Sequence, residues 1–141
     1  MSAPCVVEGL TLWPVEAPDQ PLMAVVSYRA DDPYAVRLAF LAGDGRETFD
    51  YLFARELLID GLDLDQCEPL GLGDVRVGPA PAGDWLVLSL PGVDGEWFEL
   101  YATRAHLAGF VEATLGVVPM GRERELVDVD AVIAAILAEV R

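Results

Sequence analysis

His106 is the single histidine of the chain. A lone imidazole rules out a histidine-based metal cluster within one chain, and no Ser or Cys stands at a spacing that would make it half of a nucleophilic relay. It falls in the first turn of a predicted helix beside Leu107 and Gly109, where an exposed or half-buried histidine is the simpler account. Asp60, Asp63, Asp65, Glu68 and Asp74 crowd one loop and invite calcium. Their spacing departs from the D-x-D-x-D-G loop with its closing glutamate, so a solvated acidic loop is the plainer reading. Gly71-Leu72-Gly73-Asp74 is not a dinucleotide fingerprint, since position 76 is Arg and a strand, not a helix, is predicted next. No phosphate-binding loop occurs. Cys5 and Cys67 do not have zinc spacing. We expect no metal and no cofactor.

Two kinds of residue remain. Trp13, Trp85 and Trp97, with Tyr28, Tyr34, Tyr51 and Tyr101, could stack bases if they shared one exposed sheet face, but such platforms come with a positive groove that this chain lacks overall. Core packing is the alternative. Arg37 and Arg55 each fall off the apolar stripe of their element. Exposed or salt-bridged surface arginines are the ordinary reading. The other reading is interface anchoring, because Arg is enriched at binding hot spots. On that reading Tyr34, Arg37 and Arg55 are the candidate partner-binding residues.

The elements that would hold these groups can be read from period and punctuation. Residues 5–13 alternate loosely, with Gly9 marking a bulge. Leu22 to Arg29 is a second strand and Tyr34 to Leu41 a third, with strict alternation. Between them Asp31-Asp32-Pro33 is turn chemistry. Gly43-Asp44-Gly45 turns the chain into a fourth strand from Glu47 to about Asp50. Asp50 to Gly61 reads as a short helix capped by Asp50 and ended by a left-handed Gly61, with Phe53, Leu57 and Leu58 as its stripe and Arg55 and Glu56 pointing away. Asp74 to Val77 is a short strand stopped by Gly78-Pro79. Trp85 to Leu90 and Glu96 to Tyr101 form a hairpin. Thr103 caps a helix to about Leu115, with Gly116 as the stop. A last helix opens at Asp128 or Asp130 and carries an apolar stripe from Val129 to Val140. Its opposite face is alanine-rich and could meet a neighbouring subunit. The whole is α+β in one domain over 1–141: antiparallel sheets forming an open barrel, one short inserted helix and two C-terminal helices.

Composition narrows the partners. The chain is 53% hydrophobic, so it is globular, and no apolar run approaches the roughly 18 residues needed to span a bilayer. Net charge is −15, and every one of the nine basic residues is Arg. Such a surface repels nucleic-acid phosphates and anionic lipid, and it either favours a partner with a basic patch or simply keeps the chain soluble. The N-terminus reads as no signal peptide. That implies a cytoplasmic chain with reduced, partly buried thiols.

Three segments, taken in order, resemble the SsgA-like family of sporulation and cell-division regulators of filamentous actinobacteria. They are Asp32-Pro33-Tyr34-Ala35-Val36-Arg37-Leu38-Ala39-Phe40, then Phe53-Ala54-Arg55-Glu56-Leu57-Leu58-Ile59-Asp60-Gly61-Leu62, then Gly73-Asp74-Val75-Arg76-Val77-Gly78-Pro79. Val118-Pro119-Met120-Gly121-Arg122-Glu123 is similar to that family's V-P-x-G-x-E turn. The family often carries Trp just ahead of the F-x-R-E-L-L helix, where this chain has Tyr51. The resemblance implies a non-enzymatic adaptor at the division septum. Its expected partners are division proteins such as the tubulin-like GTPase FtsZ and sister SsgA-like proteins. It also implies a whirly-like barrel and a homotrimer. The alternatives are a single-stranded nucleic-acid-binding whirly-type module and a small-ligand or metal-binding barrel using the Asp63 to Asp74 loop.

Overall fold

The computed structural model describes residues 4–63, 68–71, 73–92 and 94–126. Strands β1 (Cys5–Pro14), β2 (Leu22–Arg29), β3 (Asp32–Leu41) and β4 (Glu47–Ala54) lead into helix α1 (Arg55–Gly61). Strands β5 (Arg76–Pro79), β6 (Trp85–Pro91) and β7 (Trp97–Thr103) follow, then helix α2 (Arg104–Val117) and a 3-10 turn over Glu123–Leu126. The strands form one seven-stranded sheet in the order β4-β3-β2-β1-β7-β6-β5, every pairing antiparallel. It curls into a half-barrel. The expected last helix, Val129 to Val140, lies outside the described residues, as does Cys67.

Alternation explains the curl's interior. Leu10 and Leu12, Ala24, Val26 and Tyr28, Val36 and Leu38, and Leu86, Leu88 and Leu90 are all buried in one cluster. A period of two places them on one face of their strands. Helix α2 adds Leu107, Phe110, Val111 and Thr114, at i, i+3, i+4 and i+7, and packs against β1 and β7. Thr103 occupies the N-cap position with no side-chain cap; the amide of Arg104 donates instead to Asp84 O at 2.8 Å. The helix runs past Gly116 to Val117.

The region expected to be a helix from Asp50 is half strand. Residues 50–54 pair with β3, Tyr51 opposite Leu38 and Phe53 opposite Val36. The segment Asp50-Tyr51-Leu52-Phe53-Ala54 carries strand alternation as well as helix formers, and a ladder on an existing strand outcompetes a costly helix nucleus. The helix therefore starts at Arg55, and its N-cap Ala54 has no side-chain cap.

Gly61 is not left-handed either. It is the last residue of α1, and glycine is required there because a Cβ would overlap the side chain of Val77 on β5. Gly61→Ala is expected to push α1 off β5 and to lower stability by about 1–3 kcal/mol, read as a lower urea midpoint at unchanged slope.

Other boundaries moved for similar reasons. Gly9 pairs in register with Val25, so it makes no bulge; the ladder slips at Tyr28/Arg29 and Ala39/Leu41 instead. Strand β5 begins two residues later than expected and includes Gly78-Pro79. Gly78 lets Pro69 approach closely, and Leu70 pairs with Val77 across that approach. The outer edge of β5 is thereby covered. Cys5 is an exposed free thiol rather than a partly buried one.

Candidate functional site

Arg55, expected to point outward, is the largest fully buried side chain, at 2% exposure. Moving the helix start from Asp50 to Arg55 changes the phase, and its first residue now faces the core. Nη1 donates to the carbonyls of Thr114 at 3.2 Å and Val118 at 2.7 Å, and Nη2 to Glu123 Oε1 at 2.6 Å. The guanidinium lies 4.8 Å over the Tyr28 ring, whose hydroxyl donates to Pro33 O at 2.8 Å. The C-terminal carbonyls of a helix lack partners within it. Thr114 O already accepts the Val118 amide at 2.9 Å, so Arg55 adds a second donor there and supplies one to Val118 O just past the helix, with its charge at the favourable end of the α2 dipole.

The Arg55 contact joins segments that the sequence shows far apart. The F-A-R-E-L-L helix meets the V-P-M-G-R-E turn through Arg55 and Glu123. Its other end meets V-R-V-G-P through Gly61 and Val77. The recognisable motifs thus build scaffold. Backbone amides at Glu123 and Gly121, and Arg55, hold the Glu123 carboxyl below its ordinary 4.5. A depressed folded-state pKa gives stability that is complete above the ordinary value and is lost as pH falls through the lower one. The stability gap between wild type and Glu123→Gln should therefore shrink as pH is lowered from about 6 to about 3, measured by urea unfolding.

Arg37 is the salt-bridged surface arginine. Nη2 reaches Glu47 Oε2 at 2.6 Å and Nε reaches Asp50 Oδ2 at 3.0 Å. Glu47 and then Asp50 raise its pKa further above the usual arginine range. Tyr34 shares strand parity with buried Val36 and Leu38, yet lies past the rim of the core at 50% exposure. Three positions apart on a strand, Tyr34 and Arg37 point to opposite faces. The three expected site residues do not form one patch.

The aromatics also separate. Trp13, Trp85 and Tyr101 make edge-on contacts, the ring centroids of Trp13 and Trp85 being 5.0 Å apart. Tyr28 is in the core, and Tyr51 donates its hydroxyl to Pro91 O at 3.0 Å. His106 is partly exposed, its Nε2 3.6 Å from Glu8 Oε2. Of the acidic loop, Asp65 lies outside the described residues.

A feature that sequence reasoning missed lies at one mouth of the half-barrel. A cleft of about 590 Å³ separates β4 and the end of β3 from the β6–β7 turn. Phe49, Trp97 and Phe98 line it at 59%, 44% and 40% exposure, and so do Glu16, Asp94, Glu96 and Glu99. Phe49 shares the inward parity of Tyr51 and Phe53, but at the mouth it is left 59% exposed. Trp97 carries the Arg76 guanidinium over one face, 4.2 Å from the ring centroid. The available signal was Trp97-Phe98 itself: adjacent strand residues point to opposite faces, so a sheet with one buried face cannot hide both.

Among the described residues no helix is long and apolar enough to cross a membrane. The family model described as Streptomyces sporulation and cell division protein, SsgA, matches residues 22–123. The sporulation-specific cell division protein SsgB of Salinispora tropica is 43% identical over 142 residues, covering 96% of this chain and 95% of its own. The crystal structure of the SsgA-like sporulation-specific cell division protein of Thermobifida fusca superposes with a TM-score of 0.77 at 34% identity, over 96% of this chain and 97% of that one. A second solved structure, from work on SsgB mutations that correlate to longitudinal cell division during sporulation of Streptomyces coelicolor, gives 0.75 at 32% identity over 89% and 98%. With the fold, the motifs and both chain lengths in agreement, the chain belongs to the SsgA family of sporulation and cell-division proteins.

Proposed function

We propose that this chain is a non-enzymatic adaptor of sporulation-specific cell division. It promotes septum formation by binding or positioning division proteins such as FtsZ, in concert with sister SsgA-like proteins. The observation that carries this reading is the end-to-end match to a relative called a sporulation-specific cell division protein, SsgB. Action at the septum as a homotrimer belongs to the same proposal, as does kinship of the half-barrel with whirly domains. Tyr34 and Arg37 are proposed as partner contacts because both reach solvent. Arg55, at 2% exposure, would serve a partner only by holding α1 and α2 in place.

Co-sedimentation with FtsZ polymers tests the proposal. The protein is expected in the pellet only when polymer forms, and its absence there would move the function elsewhere in septation. Tight, salt-sensitive oligonucleotide binding would instead favour a whirly-type nucleic-acid module, against the −15 net charge.

A further inference from the structure

The cleft at the mouth of the half-barrel combines three properties. Its floor presents Phe49, Trp97 and Phe98 to solvent, while its lining includes Glu16, Asp94, Glu96 and Glu99 and, among the described residues, no basic side chain. Glu16, Glu96 and Glu99 make no ion pair among the described residues. One wall is β4, an end strand of the sheet, which among the described residues forms backbone hydrogen bonds with β3 alone. An end strand offers unpaired backbone groups to an incoming extended segment. The opposite end strand, β5, is covered by Leu70.

We propose that this cleft is the docking site for a short extended segment of a partner protein, one that sets an aromatic or aliphatic anchor beside Arg or Lys. The inference rests on the adaptor reading and names the chemistry of its partner. Apolar anchors fill the floor, and the flanking cations meet the free carboxylates at the rim. Arg76, which lies outside the lining, stacks on Trp97 at 4.2 Å, so this indole already accepts a guanidinium on one face. A second copy of the chain is a poor occupant. It is itself strongly anionic, and Arg29, Arg37, Arg46, Arg55 and Arg122 are already paired internally. The volume falls within the range of about 300–1,000 Å³ usual for ligand clefts, room for a few side chains.

The test uses two synthetic octapeptides, one alternating Arg with Phe and Leu, the other identical with Glu for Arg. The Arg peptide is expected to bind the full chain, with NMR shifts concentrated at Phe49, the Trp97 indole and Glu99, and to weaken with added salt. Phe49→Ala, and separately Glu96→Gln with Glu99→Gln, should each weaken it about tenfold. Neutralising Glu56 and Glu112 on the helices should leave it unchanged, which separates a site from general attraction to an acidic surface. Equal affinity for both peptides, shifts centred elsewhere, or unchanged affinity in the cleft variants would overturn the proposal. So would cleft shifts that depend on protein concentration without peptide, which would mean a second copy sits there. Co-sedimentation keeps the two readings apart. Wild type and Phe49→Ala pelleting equally with FtsZ would remove the cleft and leave the adaptor standing. Wild type failing to pellet would remove the adaptor, while the peptide maps still decide the cleft.

Discussion

Arg55→Leu is expected to lower the unfolding free energy by about 3–5 kcal/mol, the usual effect of removing one partner from a buried ion pair. The loss does not come from a missing contact alone. Leucine removes the Arg55 donor from the Val118 carbonyl and the second donor from Thr114 O, which keeps the Val118 amide, and it leaves the Glu123 carboxylate, 15% exposed, without a counter-charge. For a chain of this size the melting temperature should fall by on the order of 10 °C. Removing the stranded charge as well, in Arg55→Leu with Glu123→Leu, should recover part of the loss, because an apolar replacement of a whole buried pair is often nearly neutral. Arg55→Lys should fall between, since one compact ammonium cannot serve acceptors on two elements in the geometry of a planar fork. A single Arg55→Leu variant melting with wild type would show that the α2 terminus holds itself.

Phe110→Ala carries a comparable expected loss, about 3–5 kcal/mol, by a different route. Its ring is fully buried on the face of α2 that also presents Leu107 and Val111 to the sheet. Truncation removes the ring's burial and leaves a void that strands on one side and a helix on the other cannot fully close. Denaturant unfolding should show a lower midpoint with an unchanged slope. A loss of under about 1 kcal/mol would mean that α2 settles into the gap and that the interior is loosely packed. Combined with Arg55→Leu, the summed loss approaches the whole stability of an ordinary domain, about 5–15 kcal/mol, so the double variant should not fold.

The two positions show what a sequence discloses here and what it withholds. Phe110 was legible: its i, i+3, i+4 neighbours mark an inward helical face, and α2 sits where that face requires. The strands of the curl were legible for the same reason, since a period of two survives whatever the chain does elsewhere. Arg55 was not. The stretch Asp50 to Ala54 satisfies a strand ladder and a helix start equally well, and only β3, held in place by its own pairing with β2, decides between them. Once the helix begins five residues late, an arginine assigned to solvent turns inward. Gly61 was correctly singled out for a special role, but the reason lies on β5, sixteen residues further on, and no local rule supplies it. The docking cleft was least legible, because Phe49 and Trp97 come from separate hairpins and meet only when the sheet curls.

The outer border of β4, which pairs with nothing among the described residues, has one more consequence, for handling the protein. A strand with unpaired hydrogen-bonding groups and exposed Phe49 and Leu52 is a template on which further strands can grow. At neutral pH mutual repulsion between highly anionic molecules keeps such borders apart. Near the isoelectric point of about 4.1 that repulsion vanishes. Solutions should then turn cloudy while the molecules are still folded, and a lysine in place of Leu52 should delay the turbidity.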